Sequence, residues 1–134
     1  MRKELTLAAT VENIEAATDF VNEILETMDC PMKAQMQIDI AIDELLSNIA
    51  YYAYAPGTGD ATVRVEGVPG GVELTFIDRG VPYDPLTSRD PDTGLPAEER
   101  QGGGLGIFMV KKSMNEVRYQ YKNGQNMLTF RKEF

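Results

Sequence analysis

The chain has 134 residues, 43% of them hydrophobic and 25% charged, with a formal net charge of −8 and no histidine. This is the composition of one soluble globular domain, with no apolar run of the roughly 20 residues that a membrane-spanning helix needs. The acidic balance argues against a nucleic-acid backbone as partner, which wants a basic face, and the missing histidine excludes a Ser-His-Asp triad or a His-based zinc site.

Residues 4–9 alternate and predict a short strand, led by Met1-Arg2-Lys3-Glu4-Leu5 rather than by an apolar signal core. Thr10 is a candidate N-cap for a first helix, in which Ile14, Ala17, Val21, Ile24 and Leu25 recur at helical spacing to about Met28. Cys30-Pro31 interrupts it. Cys30 is the lone cysteine, so it has no internal disulfide partner; this fits a reducing, cytoplasmic compartment, and Cys30 reads as a small, partly buried residue. A second helix is expected from near Pro31 to about Tyr54, with Ile38, Ile42, Leu45 and Ile49 as its apolar stripe and Tyr52 extending it. Glu44 and Asn48 share one flank of that stripe, at the rim of the core, while Asp43 points about 100° away into solvent.

Ala61, Val63 and Val65 alternate with polar residues, Pro69-Gly70-Gly71 turns the chain, and Val72, Leu74 and Phe76 alternate on the return strand. Asp78 falls in phase with that apolar set, so its carboxylate is aimed inward, where it is costly unless paired. From Gly80 to about Gly103 the periodicity is lost, and a structureless stretch of this length inside a compact domain is usually functional. Gly102-Gly103-Gly104-Leu105-Gly106 opens a short helix through Ile107, Met109 and Val110. Asn123-Gly124 then marks a closing hairpin. The predicted architecture is a two-layer α/β sandwich, a mixed and mostly antiparallel sheet on one side and helices on the other.

The glycine cluster is not a Walker loop, because Leu105-Gly106-Ile107 stands where Gly-Lys-Ser/Thr is required. It is not a Rossmann fingerprint either, since a long loop precedes it and a hairpin follows. A helix N-terminus after glycines still suits phosphates.

Three features occur in order: Glu44-x-x-x-Asn48, Asp78-Arg79-Gly80, and Gly102-Gly103-Gly104-Leu105-Gly106. Their order and spacing resemble the nucleotide boxes of the Bergerat ATP-binding fold. The text around them, Ile42-Asp43-Glu44-Leu45-Leu46-Ser47-Asn48 and Asp78-Arg79-Gly80-Val81-Pro82-Tyr83-Asp84-Pro85, resembles the stand-alone anti-sigma regulatory serine/threonine kinases. The resemblance covers nearly the whole chain, read as a single ATP-binding kinase domain over 1–134. It implies ATP and Mg²⁺ as cofactors, with Asn48 on the metal, Asp78 on the adenine amino group, and Gly80 allowing close approach of the purine. It also implies Gly102, Gly103, Gly104, Leu105 and Gly106 at the phosphates, a lid over about 84–101, and Glu44 as the general base for a serine hydroxyl.

The implied partners are a small antagonist protein that is phosphorylated and a sigma factor, with a homodimer expected. Two alternatives stand beside this reading. One is an ATP-binding partner-switching module without catalysis; the other is an orphan histidine-kinase-like catalytic domain, against which the lack of a phosphoacceptor helix counts. The chain departs from the kinase pattern at Tyr51-Tyr52-Ala53, where His-Gly or His-Ala is common. Two readings stand for these tyrosines, packing on the nucleotide or filling the core, and core filling is the favoured one. Gln101 separates Arg100 from the glycines, which leaves its role open, and Arg79 should point away from Asp78 by strand parity.

Overall fold

The computed structural model describes residues 1–87 and 104–134. Its strands and helices in chain order are β1 (Arg2–Ala8), α1 (Ile14–Thr27), α2 (Met32–Asn48), β2 (Asp60–Val68), β3 (Gly71–Asp78), α3 (Gly104–Ser113), β4 (Glu116–Lys122) and β5 (Gln125–Glu133). The five strands form one sheet in the order β1-β2-β3-β5-β4. Every pairing is antiparallel, so the sheet is not mixed. Short hairpins join β2 to β3 and β4 to β5, while β1 reaches β2 through α1 and α2, and β3 reaches β4 through α3. At the β4–β5 turn, Asn123 and Gly124 both take the positive φ that a two-residue hairpin demands.

Period-2 alternation gives the sheet one apolar face. Val63 and Val65, Val72, Leu74 and Phe76, and Leu128 and Phe130 are buried there with the apolar stripes of all three helices. Phe76 and Phe130 stack at 5.9 Å between centroids. The opposite face carries polar pairs: Thr75 with Thr129 at 2.9 Å, Arg64 with Glu4 at 2.6 Å, and Arg118 with Glu73 at 3.1 Å. Its exposed ion pairs add little stability, but they keep an uncovered sheet face polar.

Two helix boundaries depart from the periodicity. Thr10 makes no capping bond; it leads into a 3₁₀ turn at Val11–Asn13, while the Asn13 side chain donates back to the Ala8 carbonyl at 2.9 Å. That bond ties the start of α1 to the end of β1 but caps no helix N–H, since the Asn13 amide donates in it. The regular turns of α2 stop at Asn48 and widen into a π turn over Ile49–Ala53. A wide turn retards the helical phase, so Tyr52 leaves the apolar stripe instead of extending it. Both tyrosines read as core are in fact exposed, Tyr51 and Tyr52 at 61% each. Cys30 is partly buried, and burial pushes its thiol pKa up.

Candidate functional site

The site is built where the end of α2, the end of β3 and the start of α3 meet above the sheet. On α2, Glu44 and Asn48 stand one helical turn apart at the rim of the core, and the Asn48 amide donates to Glu44 Oε1 at 3.4 Å. A carboxylate only accepts, so this bond turns the amide nitrogen toward Glu44 and leaves Asn48 Oδ1 facing elsewhere. Burial pushes the Glu44 carboxyl above the usual glutamate range; the Asn48 bond opposes that, and Asp43 beside it adds to it. Asp43 itself is exposed.

The first turn of α3 closes on the same carboxylate. A Cβ at Gly106 would lie 2.0 Å from Glu44 Cδ, so only glycine admits the acid at this distance. Glu44 therefore sits against the helix end whose free N–H groups and dipole favour anions. This ties the first box to the third.

At the other end of the cleft, Asp78 closes β3 with 7% of its surface exposed. Its Oδ1 accepts from Gly80 N at 2.9 Å and from Asn126 Nδ2 at 3.0 Å, and Oδ2 accepts no hydrogen bond among the described residues. Gly80 has a structural reason of its own: a Cβ there would lie 2.2 Å from the Ala53 carbonyl oxygen. The neighbouring Val81 N donates to that oxygen at 3.0 Å, which laces the π turn to the loop after β3. Tyr54 completes the seam, since its hydroxyl donates to Asp60 O at 2.6 Å and accepts from Arg79 N at 2.7 Å. The Arg79 side chain is exposed, as strand parity requires.

Between these ends lies a cavity of 390 Å³, within the size range of small-molecule sites. Apolar walls from Leu45, Ile49, Phe76 and Leu128 surround a few polar groups, among them Asn48, Asp78 and Asn126. Tyr52 lines it and Tyr51 does not. Asn126 and Tyr119 were not singled out from the sequence. The signal was present: Asn126 is in phase with Leu128 and Phe130, an amide on an inward-facing row, and it pairs directly across from Asp78.

Of the predicted glycines, Gly104 begins α3 and Gly106 meets Glu44, with the backbone of Leu105 between them in the helix. Gly102, Gly103, Arg100 and residues 88–101 of the expected lid lie outside the described residues. At the start of the expected lid, Pro85–Thr87 forms a 3₁₀ turn with Pro85 buried and Leu86 packed on the core. Asp84 caps that turn, accepting from Leu86 N at 2.8 Å. Among the described residues there is no cluster of three or more His, Cys, Asp or Glu that could hold a metal. A hard cation held at Asn48 Oδ1 would need phosphate and water oxygens for most of its coordination, the usual pattern for Mg²⁺ with a nucleotide.

An apolar cavity lined by the buried Asp78 carboxylate, with Asn48 in its wall and Glu44 one turn away against the start of α3, is the kind of site that takes a small polar-headed ligand. Residues 7–132 match the histidine kinase-like ATPase domain family, and the chain belongs to that family. It is 29% identical over 98 residues to the serine/threonine-protein kinase BtrW of Bordetella bronchiseptica, covering 72% of this chain and 69% of that one. It is 26% identical over 93 residues to the serine-protein kinase RsbW of Bacillus mycoides, covering 66% of this chain and 58% of that one. The chain thus spans under two thirds of the RsbW kinase's length. A solved Mycobacterium tuberculosis chain described as RsbU and RsbW domains shares the fold, with a TM-score of 0.70 at 20% identity over 99% of this chain and 32% of that one. No helix among the described residues is long and apolar enough to cross a membrane.

Proposed function

We propose that the chain is an ATP-dependent serine/threonine protein kinase that phosphorylates a small antagonist protein and thereby controls release of a sigma factor. The observation that carries this reading is the Glu44 carboxylate held against Gly106 at the start of α3, with Asn48 one turn beyond it. Such a carboxylate is a general base beside a phosphate cradle, and burial has raised its proton affinity toward neutral pH. Relatives named as serine and serine/threonine kinases support the same chemistry.

In this mechanism Asp78 Oδ2 accepts a hydrogen bond from the adenine amino group while Phe76, Leu128 and the rest of the apolar wall enclose the base. The α3 N-terminus, with Gly102 to Gly106, receives the phosphates. Mg²⁺, reached by Asn48 Oδ1, would neutralise charge on the phosphate oxygens. Glu44 takes the proton from the acceptor hydroxyl as its oxygen bonds to the γ-phosphorus. The bond from that phosphorus to the β–γ bridging oxygen breaks and ADP leaves. Gly80 keeps the backbone beside the base close and open, the lid is assigned to about 84–101, and the net charge of −8 leaves nucleic acid out of the partner set. A homodimer in the cytoplasm completes the proposal.

The test combines calorimetric Mg·ATP binding with phosphate transfer to a serine-bearing antagonist. Asn48→Ala should weaken Mg·ATP binding itself, because the side-chain oxygen assigned to the cation is lost. Wild-type protein that binds ATP but transfers phosphate to no cognate antagonist would establish the non-catalytic switch instead.

A further inference from the structure

The side chain of Asn126 is 7% exposed and makes more hydrogen bonds than any other group at the site. Its Nδ2 donates to Asp78 Oδ1 at 3.0 Å and to Val81 O at 2.9 Å, with a longer contact to Gly80 O at 3.4 Å. Its Oδ1 accepts from Tyr83 N at 3.1 Å and from the Tyr119 hydroxyl. Two donor hydrogens and two acceptor lone pairs are all a primary amide has, so the group is fully used. Three oxygens face its nitrogen, while an N–H and an O–H face its oxygen. The amide therefore has one possible orientation.

That orientation has a consequence for Asp78. Both hydrogen bonds to its carboxylate, from Gly80 N and from Asn126, fall on Oδ1. The carboxylate cannot rotate without breaking the Asn126 bond in a nearly buried site, where an unmatched amide hydrogen is costly. Oδ2 is left as the acceptor for the cavity. At position 6 of the purine adenine carries an amine donor and guanine an oxygen acceptor, so a fixed acceptor facing that position favours the first and repels the second.

We propose that Asn126 is a positioning residue that sets base selectivity, by saturating Asp78 Oδ1 and holding Oδ2 toward an exocyclic amine, with Tyr119 fixing the amide's orientation. The register delivers it there, since Asn126 is the direct cross-strand partner of Asp78. No shorter side chain has both donors: Ser or Thr brings one hydroxyl hydrogen, and Asp brings a second carboxylate beside the first. The bonds to Val81 O and Tyr83 N give the same amide a hold on the loop that forms one wall of the cavity.

This inference rests on the nucleotide-binding reading, and the experiment separates the two. ADP and GDP are titrated calorimetrically into wild type, Asn126→Ala and Tyr119→Phe; diphosphates keep the transfer chemistry out of the measurement. Wild type should prefer ADP. Asn126→Ala should lose about tenfold or more of that preference, the scale of one hydrogen bond to a charged group, and Tyr119→Phe a smaller, few-fold part. A merely structural Asn126 would weaken ADP and GDP alike and leave the ratio unchanged, which overturns the positioning role while the nucleotide site stands. Wild type that binds neither diphosphate overturns both, and wild type that binds the two equally overturns the selectivity role alone. If Asn126→Ala does not fold, Tyr119→Phe, which keeps its ring packing, decides alone, and an unchanged ratio overturns the proposal.

Discussion

The two ends of the cleft are built on opposite principles. At the end near Asp78, hydrogen bonds from Gly80 N and Asn126 converge on one carboxylate oxygen, and the amide that supplies one of them is itself saturated. At the end near Glu44, one long bond of 3.4 Å from Asn48 is the sole hydrogen bond to a half-buried acid with a raised pKa among the described residues. The first end is pre-organised before any ligand arrives, which suits a base of fixed shape. The second keeps its oxygens underused, which suits a cation, phosphates and a proton that come and go. Perturbing each end should therefore produce a different kind of failure.

The largest expected effect is at the open end. Glu44→Gln keeps the shape and the acceptor for Asn48 but removes the base, so phosphate transfer should fall about 10²–10⁴-fold while nucleotide affinity stays near wild type. Transfer at wild-type rate in that variant would sink the mechanism. For the wild type, the raised Glu44 pKa sets the sign of the pH profile. A base works only when deprotonated, so transfer should rise with pH through a midpoint above the ordinary glutamate value, and Glu44→Gln should abolish that limb. A smaller loss is expected from Gly106→Ala. Its methyl would occupy the place of the Glu44 carboxylate, 2.0 Å from Cδ. Displacing the acid should cost about 10–100-fold in transfer, the range expected when a reacting group is misplaced by about 1 Å. Equal transfer by Gly106→Ala and wild type would show that the carboxylate does not act from this position.

How much of this contrast was legible in the sequence depends on how local each feature is. Glu44 and Asn48 are one turn apart, so helical period alone put them on a common flank. Asp78 announced itself by parity, and the three boxes in order were enough to identify the fold and the family. Asn126 was not read, because its importance arises only when β5 pairs with β3 across the α3 connection, 48 positions away in sequence. Tyr52 was misread for a different reason: its place in the stripe assumed 3.6 residues per turn, and the π turn at Ile49–Ala53 breaks that period. Gly80 was read as an accommodation for a purine, yet its tightest neighbour is the Ala53 carbonyl, a backbone contact that no side-chain pattern encodes.

That contact gives the next prediction, at the organised end. Gly80→Ala would force a methyl to within 2.2 Å of the Ala53 oxygen, and backbone there cannot swing aside as a side chain can. The expected cost is about 1–3 kcal/mol of unfolding free energy, the usual scale of overpacking, read from denaturant midpoints without ligand. The seam between the π turn and the loop after β3 would also open, so Val81 N should lose hydrogen-exchange protection before the rest of β3 does. An unchanged midpoint would show that Ala53 yields freely and that the seam is not tight.

The smallest expected effect tests whether the open end carries a standing cost. Glu44 has a folded-state pKa raised by burial, so its contribution to stability is fully present below the unfolded glutamate pKa and is lost as pH rises through the folded value. At neutral pH the ionised Glu44 therefore opposes folding in the ligand-free protein. Glu44→Gln removes the charge and keeps the volume, and should melt slightly above wild type at pH 7 to 8. The gain should shrink as pH falls, because below the ordinary glutamate range wild type is protonated at this position and no longer bears the penalty. Asp39, on the same helix and also raised by burial but outside the cavity lining, serves as the comparison: Asp39→Asn should show the same sign with no loss of transfer. Melting curves of the ligand-free proteins across pH 4 to 8 make the measurement. A Glu44→Gln protein less stable than wild type at pH 8 would mean that the charge is compensated, and the two ends of the cleft would then be equally well organised.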